Sequence, residues 1–137
     1  MKQMTITATI DNLDQVLDFI NAALEEMLCP PRTQIQIDIA VEEKFVNIAN
    51  YAYQDHEGEA SIIFEVQKEE PVSVLITFID SGIPYDPLKK ADPDITLSAE
   101  EREIGGLGIY MVKKSMDNVS YQYRNGQNVL TIEKHLT

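Results

Sequence analysis

The chain has 137 residues, one ordinary domain by length and too few for two independent cores. Lys and Arg number 11 against 23 Asp and Glu, a net charge of −12, which argues against nucleic acid or an anionic membrane surface because both are held by clustered cations. With 44% hydrophobic and 25% charged residues, the composition is globular and excludes a disordered or collagen-like chain.

Residues Lys2–Ile10 alternate, with Met4, Ile6, Ala8 and Ile10 on one parity and Thr5, Thr7 and Thr9 on the other, as a half-buried strand requires. Asp11 or Asn12 then offers a helix N-cap. From Leu13 to Leu28 apolar residues recur at three- and four-residue intervals, predicting an amphipathic helix stopped by Pro30–Pro31. A second helix is expected from about Thr33 to Tyr53, its core stripe being Val41, Phe45, Ile48 and Ala52. Strands over Ala60–Gln67 and Val72–Asp80 form a hairpin across Lys68–Pro71.

Residues Ser81–Glu103 contain three prolines and no sustained period, a length at which loops are usually functional, and a mobile lid is expected there. The cluster Gly105–Gly106–Leu107–Gly108 opens a helix running to about Met116. Strands Val119–Arg124 and Asn128–His135 close the chain as a hairpin turned at Asn125–Gly126. This order predicts an α+β class: a two-layer sandwich with a mostly antiparallel mixed sheet and three helices on one face.

Cys29 is a lone cysteine, so no intrachain disulfide forms, and no Cys and His pair has zinc-ligand spacing. A reducing compartment, the cytoplasm, and no structural metal are expected. The start of the chain lacks a leader pattern and the apolar run near Val74–Ile79 is too short for a bilayer, so neither a targeting segment nor an anchor is expected. Cys29 itself suits an inert helix-end thiol, His56 and His135 suit surface positions, and Met27, Met111 and Met116 suit helix-core positions.

Three features carry chemistry. Glu43, Asn47, Asn50 and Gln54 are spaced by four, three and four and line one face of the second helix, offset from the core stripe. A carboxylate there can take a proton and the Asn47 oxygen is a hard neutral ligand suited to Mg²⁺, although the same spacing also suits a solvated helix face. Asp80 falls on the parity of Val72, Val74, Ile76 and Phe78, which delivers a carboxylate to the buried side, where it needs a donor such as the exocyclic amine of a base. If the strand ends one residue early, Asp80 only starts a turn. Gly105, Gly106 and Gly108 at a helix start let backbone amides approach phosphate oxygens, or serve as a hinge and cap. The pattern is neither a Walker loop nor a dinucleotide fingerprint.

In this order the three features resemble the ATP-binding domain shared by gyrase, the heat-shock chaperones, histidine kinases and MutL, the Bergerat fold. Glu43–Asn47 continuing to Ala52–Tyr53 is similar to its N-box, Asp80–Pro87 to its first glycine box and Gly105–Tyr110 to its second. The short chain and the Pro84-Tyr85-Asp86-Pro87 continuation most resemble the bacterial anti-sigma-factor serine kinases. That resemblance implies ATP and Mg²⁺ as cofactors. Glu43 would activate the attacking hydroxyl, Asn47 would hold Mg²⁺, Asp80 would receive the adenine amine, and Gly82 would let the base pack closely. Gly105, Gly106, Leu107 and Gly108 would cradle phosphates under a lid at about 81–104. It further implies a serine on a STAS-type anti-anti-sigma protein as acceptor, a sigma factor as second partner, and a homodimer.

Tyr51 stands where many relatives carry His, and Val46 where Thr is common; neither is a proposed reacting group. A histidine kinase would need a helical hairpin bearing an acceptor His before the domain. The competing readings are a non-catalytic ATP-binding module acting by protein contact and an interaction domain with no nucleotide.

Overall fold

The computed structural model describes residues 1–53, 56–89 and 106–136. The elements are β1 (Lys2–Thr7), α1 (Leu13–Glu26), α2 (Pro31–Tyr51), β2 (Glu59–Gln67), β3 (Ser73–Asp80), α3 (Gly106–Ser115), β4 (Asn118–Arg124) and β5 (Gln127–His135), with 3₁₀ turns at Ile10–Asn12 and Pro87–Lys89. The five strands lie in the order β1-β2-β3-β5-β4, and every neighbouring pair is antiparallel. The predicted two-layer α+β architecture is the one that forms, with no parallel pair among the described strands.

Alternation in the three central strands decides which face is covered. Ile62 and Phe64 of β2, Val74, Ile76 and Phe78 of β3, and Leu130 and Ile132 of β5 are buried, while their odd-numbered neighbours stay partly open, apart from Ser73 at the start of β3. The buried set meets Val16, Ile20 and Leu24 of α1, Ile37, Val41, Phe45 and Ile48 of α2, and Val112 of α3 in one core. The opposite face is bridged by short polar contacts: Thr5 to Ser61 at 2.9 Å and Thr77 to Thr131 at 3.0 Å.

Four expectations are corrected. β1 stops at Thr7 and the chain turns at Ile10, leaving that side chain 48% exposed and off the core parity. α1 stops at Glu26 in a Schellman motif, with Leu28 N–H donating to Glu25 O at 3.1 Å and Cys29 N–H to Leu24 O at 3.1 Å. Leu28 adopts a positive φ of 56° in that cap and is 88% exposed, so the apolar period runs past the helix it marks. Pro31, expected to end one helix, is the first residue of the next, where a missing N–H costs nothing. Met111 is 52% exposed, and Val112 takes the core position instead.

The closing hairpin turns at Asn125 (φ 56°) and Gly126 (φ 77°), the pair of positive φ values a tight two-residue turn demands. Tyr121 and Asn128, a few residues either side, are thereby brought face to face. No described helix is long and apolar enough to cross a membrane. Of the expected lid at 81–104, residues 90–104 lie outside the described residues, as do Gln54 and Gly105.

Candidate functional site

Asp80 is the last residue of β3, held in register between Ala60 of β2 and Asn128 of β5. It is 3% exposed, so the strand continues through it and its carboxylate enters the covered face of the sheet. A carboxylate there needs donors, because removing its hydration without replacement costs several kcal/mol. Two are present: Gly82 N–H donates to Asp80 Oδ1 at 2.9 Å, and Asn128 Nδ2 donates to the same oxygen at 2.9 Å. Oδ2 takes part in neither bond.

Asn128 joins Asp80 to the segment that follows it. Its Nδ2 also donates to Ile83 O at 2.8 Å, and its Oδ1 accepts from Tyr85 N–H at 3.1 Å and from the Tyr121 hydroxyl. A side-chain amide offers two donors and one acceptor oxygen, and all of that capacity is used here. Tyr53 makes a parallel tie, donating to Glu59 O at 2.7 Å and accepting from Ser81 N–H at 2.8 Å. Burial pushes both tyrosine hydroxyls up, and the negative charge of Asp80 adds to the shift in each. Neither Asn128 nor Tyr121 stands out in the sequence; a buried Asn in an otherwise apolar strand parity was the available signal.

Gly82 sits directly beneath α2. A Cβ there would stand 2.3 Å from Ala52 O and 2.6 Å from Ala52 Cβ, and Ile83 N–H donates to that same Ala52 O at 3.0 Å. The room that glycine provides at this position is taken by the helix. Ala52 and Tyr53, the end of the sequence motif on α2, therefore serve to clamp residues 81–83 onto the helix end.

Farther along α2, Glu43 and Asn47 lie one turn apart and are both half-buried. Neither side chain has a hydrogen-bond partner among the described residues. Burial raises the Glu43 carboxyl above its ordinary value, and neighbouring Glu42 adds to it. A carboxylate whose proton affinity is raised is a better general base near neutral pH. Asn50 is exposed on the same stripe.

Lys44, next to Glu43, was not singled out by sequence patterning, yet it is 8% exposed on the core side of α2. Burial lowers its ammonium pKa, and Asp80 pulls it back up. Gly106, Leu107 and Gly108 form the first turn of α3, which packs against α2 through Ile109 and Val112 on the core side. Amides in a first helical turn have no intrahelical acceptor. Cys29 is buried, and burial followed by Asp38 raises its thiol pKa, as suits an inert thiol. His56 is exposed; His135 is partly so, its ring 3.8 Å from Asp117 and 3.7 Å from Glu133.

Comparison with known proteins agrees with this arrangement. The family model of the histidine kinase-like ATPase domain matches residues 6–134. The chain belongs to that family. Within it the chain is homologous to the anti-sigma-factor kinases. It is 27% identical over 104 residues to the serine/threonine-protein kinase BtrW of Bordetella bronchiseptica, covering 76% of this chain and 72% of that one. It is 30% identical over 96 residues to the serine-protein kinase RsbW of Bacillus cereus, covering 67% and 58% respectively. The RsbU and RsbW domains of a Mycobacterium tuberculosis protein superpose with a TM-score of 0.65 at 15% identity, over 99% of this chain and 33% of that one. At that identity the likeness shows the fold alone. The histidine kinase-like ATPase fold thus accounts for the element order and the antiparallel sheet.

Proposed function

We propose that this domain binds ATP with Mg²⁺ and acts as a regulatory serine kinase of the anti-sigma-factor type, phosphorylating a STAS-type anti-anti-sigma protein and sequestering a sigma factor. One observation carries the nucleotide part: a carboxylate at the end of a central strand, 3% exposed, with one oxygen fixed by Gly82 and Asn128. A fixed buried acceptor reads a donor, and the exocyclic amine of adenine is such a donor.

The catalytic part rests on Glu43. In the transfer step the acceptor serine oxygen forms a bond to the γ-phosphorus while the bond from phosphorus to the ADP oxygen breaks, and the serine proton passes to Glu43. Asn47, whose half-buried amide hydrogen-bonds to no described residue, would hold Mg²⁺, a hard ion suited to its neutral oxygen. That ion would supply charge neutralisation at the phosphates. Amides of the Gly106–Gly108 turn would add donors to the same phosphates.

The partners and a homodimeric state belong to the same proposal, as does a cytoplasmic setting. Support for them is the homology to RsbW and BtrW. The competing reading, an ATP-binding module without transfer, lacks a use for a free carboxylate of raised pKa at Glu43.

The test is calorimetric titration with Mg-ATP, followed by radiolabel transfer to a STAS-type acceptor. Asp80→Asn is expected to weaken ATP binding, and Glu43→Ala to keep binding and lose transfer. Tight ATP binding by the wild type with no transfer to any such acceptor would favour the module; a flat titration would remove both.

A further inference from the structure

α2 is apolar on two sides, and the rest of the protein covers one of them. Ile37, Val41, Phe45 and Ile48 are buried in the core under the sheet. A second row, Ile35, Ile39, Glu42, Val46 and Ala49, is spaced by four, three, four and three, so its members stack along a side of the helix turned away from the first. Ile35 is 60% exposed and Ile39 53%; Glu42 is exposed, and Val46 and Ala49 are half-buried. A surface helix ordinarily turns polar residues outward, and an outer row that is apolar at alternating four- and three-residue intervals has the pattern of a seam against another helix.

Charge decides against a second copy of this chain as the occupant. Glu42 stands at the middle of the row, so a two-fold pairing of the row with itself sets Glu42 against Glu42, and Asp38 and Glu43 on its flanks add to the repulsion. Arg32, in the first turn of α2, is the one cation of the helix outside the core, because Lys44 is buried. The occupant must bring its own cation to the middle of the seam.

Reach decides which partner that is. Glu43 adjoins Glu42, and transfer requires the acceptor serine within about 3 Å of the Glu43 carboxylate. At about 1.5 Å of rise per residue, Ile39 and Ile35 lie about 6 and 12 Å along the helix from Glu43. A standard interface covers about 800 Å² of each partner, a patch about 16 Å in radius, so an acceptor protein docked with its serine at Glu43 also covers both isoleucines.

We infer that the outer row of α2 is the docking surface for the phosphoryl acceptor: a helix of that protein, apolar at three- and four-residue intervals, packs on Ile35 and Ile39 and sets a Lys or Arg against Glu42. The inference rests on the serine-kinase reading proposed above and adds to it where the acceptor binds and what chemistry it brings.

The deciding experiment measures initial rates of radiolabel transfer from saturating Mg-ATP to the STAS-type acceptor over a range of acceptor concentrations. It compares the wild type with the double variant Ile35→Gln/Ile39→Gln and with Glu42→Lys. Gln is a good helix former and both isoleucines are exposed, so the double variant is expected to melt with the wild type and to bind Mg-ATP with the same affinity. Its KM for the acceptor is expected to rise at least about tenfold, the loss that follows truncation of two apolar anchors, with kcat unchanged. For the wild type, acceptor KM is expected to rise with added NaCl; in Glu42→Lys it is expected to be higher at low salt and less dependent on salt. An unchanged acceptor KM in the double variant would overturn the inference, as would a loss confined to kcat or to ATP affinity, or a Glu42→Lys KM at or below that of the wild type. Sedimentation equilibrium of the double variant is expected to give the wild-type mass; a lower mass would assign the row to a second copy and overturn the acceptor. A wild type that binds Mg-ATP but transfers to no such acceptor would instead remove the kinase reading, and the docking surface with it.

Discussion

Around Asp80, polar atoms from the residues just after α2, from β3, β4 and β5, and from the segment after β3 are joined by short hydrogen bonds. Around Glu43 and Asn47, a few turns along the same α2, the side chains meet no hydrogen-bond partner among the described residues. The first region is assembled before any ligand arrives, which suits recognition of a fixed donor pattern. The second keeps its oxygens unspent, which suits groups that must engage a metal ion, a phosphate or a moving proton. The contrast yields perturbations that separate loss of fold from loss of chemistry.

The largest effect is expected at the unspent region. Glu43→Gln should lower transfer about 10²- to 10⁴-fold, the usual worth of a general base, while stability to urea changes by no more than about 0.5 kcal/mol. A comparable loss of stability would show that Glu43 belongs to the assembled region after all. Because burial raises its folded pKa, any stability Glu43 contributes is present below the unfolded value and lost as pH rises through the folded one. The Gln variant should therefore flatten the stability profile in mild acid.

At the assembled region the order reverses. Asn128→Ala takes one of two donors from Asp80 Oδ1, which keeps Gly82 N–H, and removes the Asn128 partner of Ile83 O, Tyr85 N–H and the Tyr121 hydroxyl together. Unfolding in urea should show a loss of about 2–4 kcal/mol, since several buried polar groups lose partners at once. Gly82→Ala forces a Cβ against Ala52 O and should cost about 1–3 kcal/mol by the same measurement, the range for overpacking. A Gly82→Ala protein of undiminished stability would mean that α2 and residues 81–83 separate readily.

The smallest expected effect lies in the pH dependence that Lys44 adds to stability. Burial sets its folded pKa below 10.5, so in the window between the two values the unfolded chain binds more protons and stability rises with pH. Lys44→Met should remove that rise. The comparison belongs below pH 10.0, because Tyr53 and Tyr121, held neutral by burial, act in the opposite direction above it.

Much of the candidate site was legible before the fold. The i, i+4 spacing of Glu43 and Asn47 places them on one helix face wherever that helix goes, and the parity of Asp80 follows from a strand's period of two. Lys44 was hidden because a lysine following two glutamates reads as solvent-facing, while its position on the buried side depends on which way α2 is rotated against the sheet. Asn128 was hidden because its partners lie 43 to 48 residues earlier, apart from Tyr121 across the hairpin. The Leu28 error has a local cause: apolar period continued through a cap whose backbone had already left the helix.

Periodicity, turn residues and short-range spacing are properties of consecutive residues, and from them the chain by itself determined its helices, its alternating strands, the Asn125–Gly126 turn and the three polar motifs. The tertiary structure alone decided that Asp80 shares its surroundings with Lys44, Tyr53, Tyr121 and Asn128. Those groups come from separate elements, and only the packing of α2 on the antiparallel sheet, with Gly82 leaving room for Ala52, brings their charges and hydrogen bonds within range of one another.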